Sequence, residues 1–233
     1  MRKYLVLIVV LMSFETVCWG HDLRSALFHH MFRKIPEWTS KPPKIDEKLR
    51  AQIRDEVLLC IGATNRETAA DFDKRFQAAE DLKKHELSES ELKLLYDFLA
   101  GTTGGRDPLW TEETDLIKSH ICFSLVWPEN GKPANGLGQK LMEMIDSRKL
   151  NLEWRKYCVD ELGNYYSAKW EDDPRRFDDP ERKVIEDFFW EITKDKTFGE
   201  KALQRISRLS RLFPEFKKLS DQNQQKPIGE IAP

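Results

Sequence analysis

The sequence predicts an all-α fold of stacked antiparallel helix pairs, and three observations carry that prediction. Apolar residues recur at i, i+3, i+4 and i+7 in one segment after another, the spacing of a single helix face. Helix-start chemistry precedes several of these segments, as Asp, Ser or Thr followed by an acid. No stretch shows a convincing alternation of apolar and polar residues, so no strand is expected.

The chain opens on a segment that reads as a signal peptide, residues 1–20. Arg2 and Lys3 precede an apolar run from Tyr4 to Phe14, broken only by Ser13, and Cys18 and Gly20 suit a cut before His21. The run falls well short of the ~18–20 residues that cross a bilayer, which disfavours an uncleaved anchor. Glu15 and Val17 disfavour lipid attachment through Cys18. The expectation is an exported protein, periplasmic or extracellular, with no stable membrane insertion once the signal is removed. Residues 21–45 form a lead and linker: His21 to Phe32 suits a short helix, and Pro36, Pro42 and Pro43 break regular structure after it. A new N-terminal His21, with His29 and His30 nearby, has the chemistry to chelate copper. The known histidine braces sit on β-sandwiches, and this chain has no strand pattern to build one.

The helical body is expected over residues 46–220. Its first stripe is Leu49, Ile53, Val57, Cys60 and Ile61, with Gly62 as terminator. The next is Ala69, Phe72, Phe76 and Ala79. Ser88 and Glu91 form a capping box, Leu87 and Leu92 the matching staple, and the helix they start buries Leu92, Leu95, Tyr96 and Leu99 before Gly101. Thr111 caps a helix whose inner face is Ile117, Ile121, Ser124 and Leu125. A polar loop from Glu129 to Gly136 leads to a short helix of Leu137, Leu141, Met144 and Ile145. Helix starts near Ser88, Asn135 and Asp179 recur about every 45 residues, within the ~40–47 of two-helix repeat units.

Leu150 to Phe216 organises the rest. Trp154, Cys158, Leu162 and Tyr165 share one stripe. Asp179-Pro180-Glu181 then combines an N-cap acid, a proline at the first helical position and a first-turn acid, ahead of Ile185, Phe188, Phe189 and Ile192. Thr197 and Glu200 read as a second capping box, ahead of Leu203, Ile206, Leu209 and Phe213, with Pro214 as the stop. Asp221 to Pro233 is polar with two prolines and reads as a disordered tail, 221–233.

"EWRKYCVDELGNYY", "VIEDFFWEI" and "EKALQRISRLSRLFPEF" resemble a HEAT-like helical repeat family of exported bacterial proteins of unknown function. Trp154, Arg155 and Tyr157 match its first helix. Ile185, Phe189 and Trp190 approximate the second, and Ala202, Leu203, Arg208 and Leu209 fit the third. Glu91–Leu99 and Gly136–Ile145 are weaker echoes, so the resemblance spans roughly the C-terminal two-thirds. It implies a short α-solenoid scaffold and carries over no catalytic residue.

Chemistry is thinly marked. The chain has 38 basic and 40 acidic residues, a formal net charge of −2. That near-balance argues against nucleic acid or an anionic membrane as the partner. Signal removal leaves Cys60, Cys122 and Cys158, an odd number with no metal or redox spacing; a Cys122–Cys158 disulfide stays open. The five histidines are scattered, and no metal, phosphate-loop or nucleophile-elbow motif is present, so no metal, cofactor or catalytic residue is nominated. His120 reads as a core-edge residue. Two groups are the candidate binding residues. Tyr165, Tyr166 and Trp170, with Phe177, are read as aromatics in the polar loop before Asp179, where a repeat protein places contacts. Arg205, Arg208 and Arg211 lie three apart on the last helix, as an anion-binding stripe or as charges complementing its C-terminus. Three functions follow. One is an exported helical-repeat scaffold that binds another protein without catalysis. Another is a cell-wall or polysaccharide hydrolase using unrecognised carboxylates. The last is a structural envelope accessory.

Overall fold

Asp46 starts the first helix by accepting a 2.7 Å hydrogen bond from the Leu49 amide, one of the four donors a helix start leaves unpaired. The structure, a computed structural model, describes residues 46–64, 71–101, 112–129, 131–173 and 176–217. The expected signal peptide, the expected linker with His21, His29 and His30, the expected Thr111 cap and the expected tail lie outside these. Helix α1 runs Glu47–Cys60 and α2 Phe72–Asp81, the latter tightening into a 3₁₀ turn at Leu82–Lys84. Helix α3 runs Glu89–Leu99 and α4 Glu112–Val126. Helix α5 runs Leu137–Asp146 and α6 Leu152–Trp170. A 3₁₀ turn at Arg176–Asp178 precedes α7, Pro180–Ile192, and α8 is Gly199–Leu209. A further helical turn occupies residues 214–217. The fold is all-α, with no strand among the described residues. None of the described helices is long and apolar enough to cross a membrane.

Local chemistry accounts for most starts. Ser88 and Glu91 form both halves of the expected capping box, and Asp179 caps α7 by accepting from the Glu181 amide at 2.9 Å. Gly62 and Gly101 sit at φ +72° and +68°, the left-handed conformation that ends a helix at no steric cost to glycine. The Thr197 capping box is not what starts α8. Asp195 Oδ1 accepts from the amides of Thr197 (2.6 Å) and Phe198 (3.2 Å), and the helix begins at Gly199 with Phe198 as its N-cap, one residue later than a Thr197 cap requires. Ala202, Arg205, Ile206 and Leu209 face inward, and Leu203, expected in the core, is 38% exposed.

One apolar core runs from Val57 to Phe216. Helix α1 packs on α2 and α3, α2 on α4, and α3 on α4. Helix α6 packs on α4, α5 and α8, while α7 packs on α5 and α8. The 128–135 loop is tied down by Glu129 N–H to Lys83 O (2.7 Å), Ala134 N–H to Leu125 O (2.8 Å) and Tyr96 O–H to Asn135 O (2.7 Å).

Candidate functional site

Helix α6 is buried on most of its circumference. Its buried residues include Trp154, Cys158, Val159, Glu161, Leu162, Tyr165, Tyr166 and Trp170, covering far more than one face. A helix apolar on most sides belongs inside a protein. It therefore continues for 19 residues, bearing out the stripe of Trp154, Cys158, Leu162 and Tyr165, and it takes in Tyr165, Tyr166 and Trp170, which were also read as part of a polar loop. That placement is corrected: the three are 1%, 0% and 1% exposed, and they are core. Only Phe177 of that aromatic group is exposed, at 63%, with the Arg182 guanidinium 4.9 Å from its ring centroid.

The buried rings hold α7 and the C-terminal turn. Trp170 donates its indole N–H to Asp179 Oδ2 (3.1 Å), and Tyr165 its hydroxyl to Glu181 Oε1 (3.0 Å). Lys169 pairs with Glu181 and, at 3.2 Å, with Asp179. Tyr166 donates to Glu186 Oε1 (2.6 Å) and Glu215 Oε1 (3.4 Å), and Arg182 bridges the same two carboxylates at 2.6 and 3.0 Å. Its ring meets Phe213 and Phe216 edge-on at 4.8 and 4.9 Å. Burial first, then the Glu186 and Glu215 charges, push the Tyr166 hydroxyl far above its usual range, so it acts as a donor. Gly138 on α5 leaves room for this corner: a Cβ there would lie 2.6 Å from both Glu181 Oε1 and Tyr165 Cε1.

A second cluster joins α4, α6 and α8. Glu161 is 5% exposed, and Asn164 Nδ2 donates to its Oε1 at 3.1 Å. Its Oε2 is fully enclosed and accepts no hydrogen bond of ordinary geometry among the described residues. Burial raises the Glu161 carboxyl to about 7, against the lowering influence of Arg205, Tyr157 and Asn164. Arg205, expected on a solvated stripe, instead turns inward at 9% exposure and donates to Asp160 O (2.7 Å) and Asn164 Oδ1. Gly163 makes that path possible, since a Cβ there would lie 2.6 Å from Arg205 Cγ. Arg208 and Arg211 remain exposed, so the three arginines do not form one stripe.

On α4, Lys118 is 3% exposed, with Nζ 5.4 Å from the Phe98 ring centroid and 5.6 Å from that of Trp154. It donates to Leu99 O at 3.3 Å. Burial lowers its ammonium to about 8, opposed by Asp115. Cys60, Cys122 and Cys158 are free and buried. Burial raises all three thiols, Cys60 to about 12, which makes them small hydrophobes instead of nucleophiles. The His120 ring lies 4.1 Å from that of Phe76, tilted by 57°, at the core edge as expected.

The sequence reading missed Lys118, Glu161, Arg182 and Glu186. Their signal was a charge inside an apolar stripe: Lys118 precedes Ile121 and Cys122 by three and four, and Glu161 follows Cys158 by three. The open concavities lie elsewhere. One, ≈ 330 Å³, lies between α3 and the start of α5, lined by Glu89, Leu92, Lys93, Tyr96, Asp97, Asn135 and Lys140. Another, ≈ 230 Å³, lies beside it, between Leu82–Leu87 and the 128–135 loop. No group of three or more His, Cys, Asp or Glu side chains suited to a metal ion occurs among the described residues. Comparison of the chain with protein families, with curated proteins and with solved structures finds no match.

Proposed function

We propose that this chain is an exported, HEAT-like α-solenoid scaffold that binds another protein and performs no catalysis of its own. The observation that carries the reading is the order of helix neighbours. Within pairs, α1 meets α2, α3 meets α4, α5 meets α6 and α7 meets α8. Between pairs, α2, α4, α6 and α8 follow one another in a row, and α1 with α3 and α5 with α7 make the other. Packing of each helix on its pair partner and on the next helix but one is what stacked helix pairs require. The second row loosens between α3 and α5, which lack the close packing of the other neighbours, and the ≈ 330 Å³ groove lies there. Export rests on residues 1–20 alone.

Affinity capture of residues 21–233 from the source cell's envelope extract, with mass spectrometry, tests this. The comparison is with a double variant, Lys93→Glu with Lys140→Glu, at the groove, and with Arg208→Glu on α8. A defined partner retained by wild type and Arg208→Glu but lost by the groove variant supports the reading. No partner, or one that all three retain equally, removes the groove as the binding face. Recovery only within a large envelope assembly would favour the structural accessory.

A polysaccharide hydrolase is the second reading, favoured by one observation, the raised carboxyl of Glu161. Glu161 lines neither concavity, so substrate has no path to it there. Hydrolysis of a cell-wall polysaccharide by wild type and its loss in Glu161→Gln would establish this reading and overturn the scaffold.

A further inference from the structure

The joint between α6 and α8 contains an acid, Glu161, that the fold encloses at 5% exposure. Glu161 is on the α6 face that receives α8, one residue from the Asp160 carbonyl and three from Asn164, both of which accept from Arg205. One Glu161 oxygen has the Asn164 amide; the other has no hydrogen bond of ordinary geometry among the described residues. The groups that face it are Tyr157, Cys158, Asp160 and Asn164 of its own helix, Cys122 of α4, and Arg205 of α8. Lys201 of α8 reaches Asp160 at 2.6 Å, and Lys118 of α4 acts electrostatically on the thiols of Cys122 and Cys158. Arg205 is the cation that most favours the charged carboxylate, and it also donates to Asp160 O and Asn164 Oδ1.

We propose that this joint is a proton-sensitive latch, in which neutral Glu161 lets α8 seat on α6 and the charged carboxylate loosens it. A buried carboxylate with an unsolvated oxygen is costly, and lifting α8 away is the route by which water reaches it. The same movement draws Arg205 out of the Gly163 notch and frees Phe213 and Phe216 from the Tyr166 ring. The neutral acid has no such cost. Its folded-state value of about 7 stands above the 4.5 of a solvated glutamate, so the docked joint holds a proton that the open joint releases. Opening of α8 therefore becomes easier as pH rises between about 4.5 and 7, and levels off above. This inference is independent of the protein-binding reading.

Hydrogen exchange with mass spectrometry on the full chain tests it, corrected for the intrinsic pH dependence of exchange. The opening constant of the α8 amides should rise roughly 10²-fold between pH 4.5 and pH 7.5 in wild type. It should change little in Glu161→Gln, and α1 amides should show no matching rise in either protein. A flat wild-type α8, or a variant with the full wild-type dependence, overturns the latch. Carboxyl ¹³C NMR of the wild-type chain provides a readout that needs no variant. One glutamate titrating near 7 is expected, and titration of every glutamate below 5.5 would refute the proposal.

Discussion

Replacing Trp170 with alanine should remove a large share of this protein's stability. The side chain ends α6 at 1% exposure, packed edge-on against Tyr166 at 4.9 Å and Tyr165 at 6.0 Å, with Lys169 Nζ 4.7 Å from its ring centroid. Its indole N–H also bonds Asp179, whose other oxygen caps α7. Truncating a buried tryptophan costs about 3–5 kcal/mol, because lost transfer energy adds to a cavity that relaxes only in part. The lost hydrogen bond contributes about 1 kcal/mol within that range, the amount Trp170→Phe should isolate. Against a total of roughly 5–15 kcal/mol, Trp170→Ala leaves a marginal fold. With a urea slope near 2 kcal/mol/M, its midpoint should fall by roughly 2 M. Phe177→Ala, at an exposed ring in the next turn, should shift it by less than about 0.5 M. Trp170→Ala melting with the wild type while Phe177→Ala collapses would mean that core and surface are exchanged at this corner.

Three further outcomes follow from buried groups. Lys118 has a folded-state value lowered to about 8 from 10.5, so the unfolded chain binds its proton more readily and stability should rise with pH between these values. Lys118→Met should accordingly be more stable than wild type at pH 7, and the gain should shrink as pH approaches 10.5 in urea titrations across that range. Gly163→Ala should lose about 1–3 kcal/mol, since its Cβ displaces the Arg205 stem and part of α8 with it; Asn164→Ala tests whether the loss belongs to that same contact. Arg205→Ala should cost several-fold more in thermal denaturation than Arg208→Ala or Arg211→Ala, and equal effects would place Arg205 on the surface.

Reading the sequence located helices wherever a start or stop signal stood beside a single apolar stripe. Ser88 and Asp179 are N-caps as expected, the first described helix starts at Asp46, where the body was expected to begin, Gly62 and Gly101 terminate as expected, and Leu137, Leu141, Met144 and Ile145 are all buried. It failed where burial is all round. Past Leu162 the α6 residues Asn164, Ser167 and Lys169 break the stripe and read as a polar loop, although Asn164 and Lys169 are spent on neighbouring side chains and Ser167 is buried. The start of α8 was misplaced because Asp195, two residues upstream, takes the Thr197 amide that Glu200 would accept from in a capping box. The inward turn of Arg205 was not visible because it depends on Gly163, 42 residues earlier and on another helix. Of the nominated binding residues, Arg208 and Arg211 are exposed and the other four are buried; the groove between α3 and α5 was not foreseen, since its walls come from separate segments.

The central claim is that α6 is the interior helix on which the paired helices are stacked, and native-state hydrogen exchange of its backbone tests that most directly. The amides from Cys158 to Tyr166 should exchange only through global unfolding, with a free energy equal to that from urea denaturation. Amides of α1 should open at lower free energy, since α1 packs on α2 and α3 at one end. If the Cys158–Tyr166 amides exchange as readily as those of α1, or by a local opening well below the global value, α6 is not the organising helix and the stacked-pair account fails.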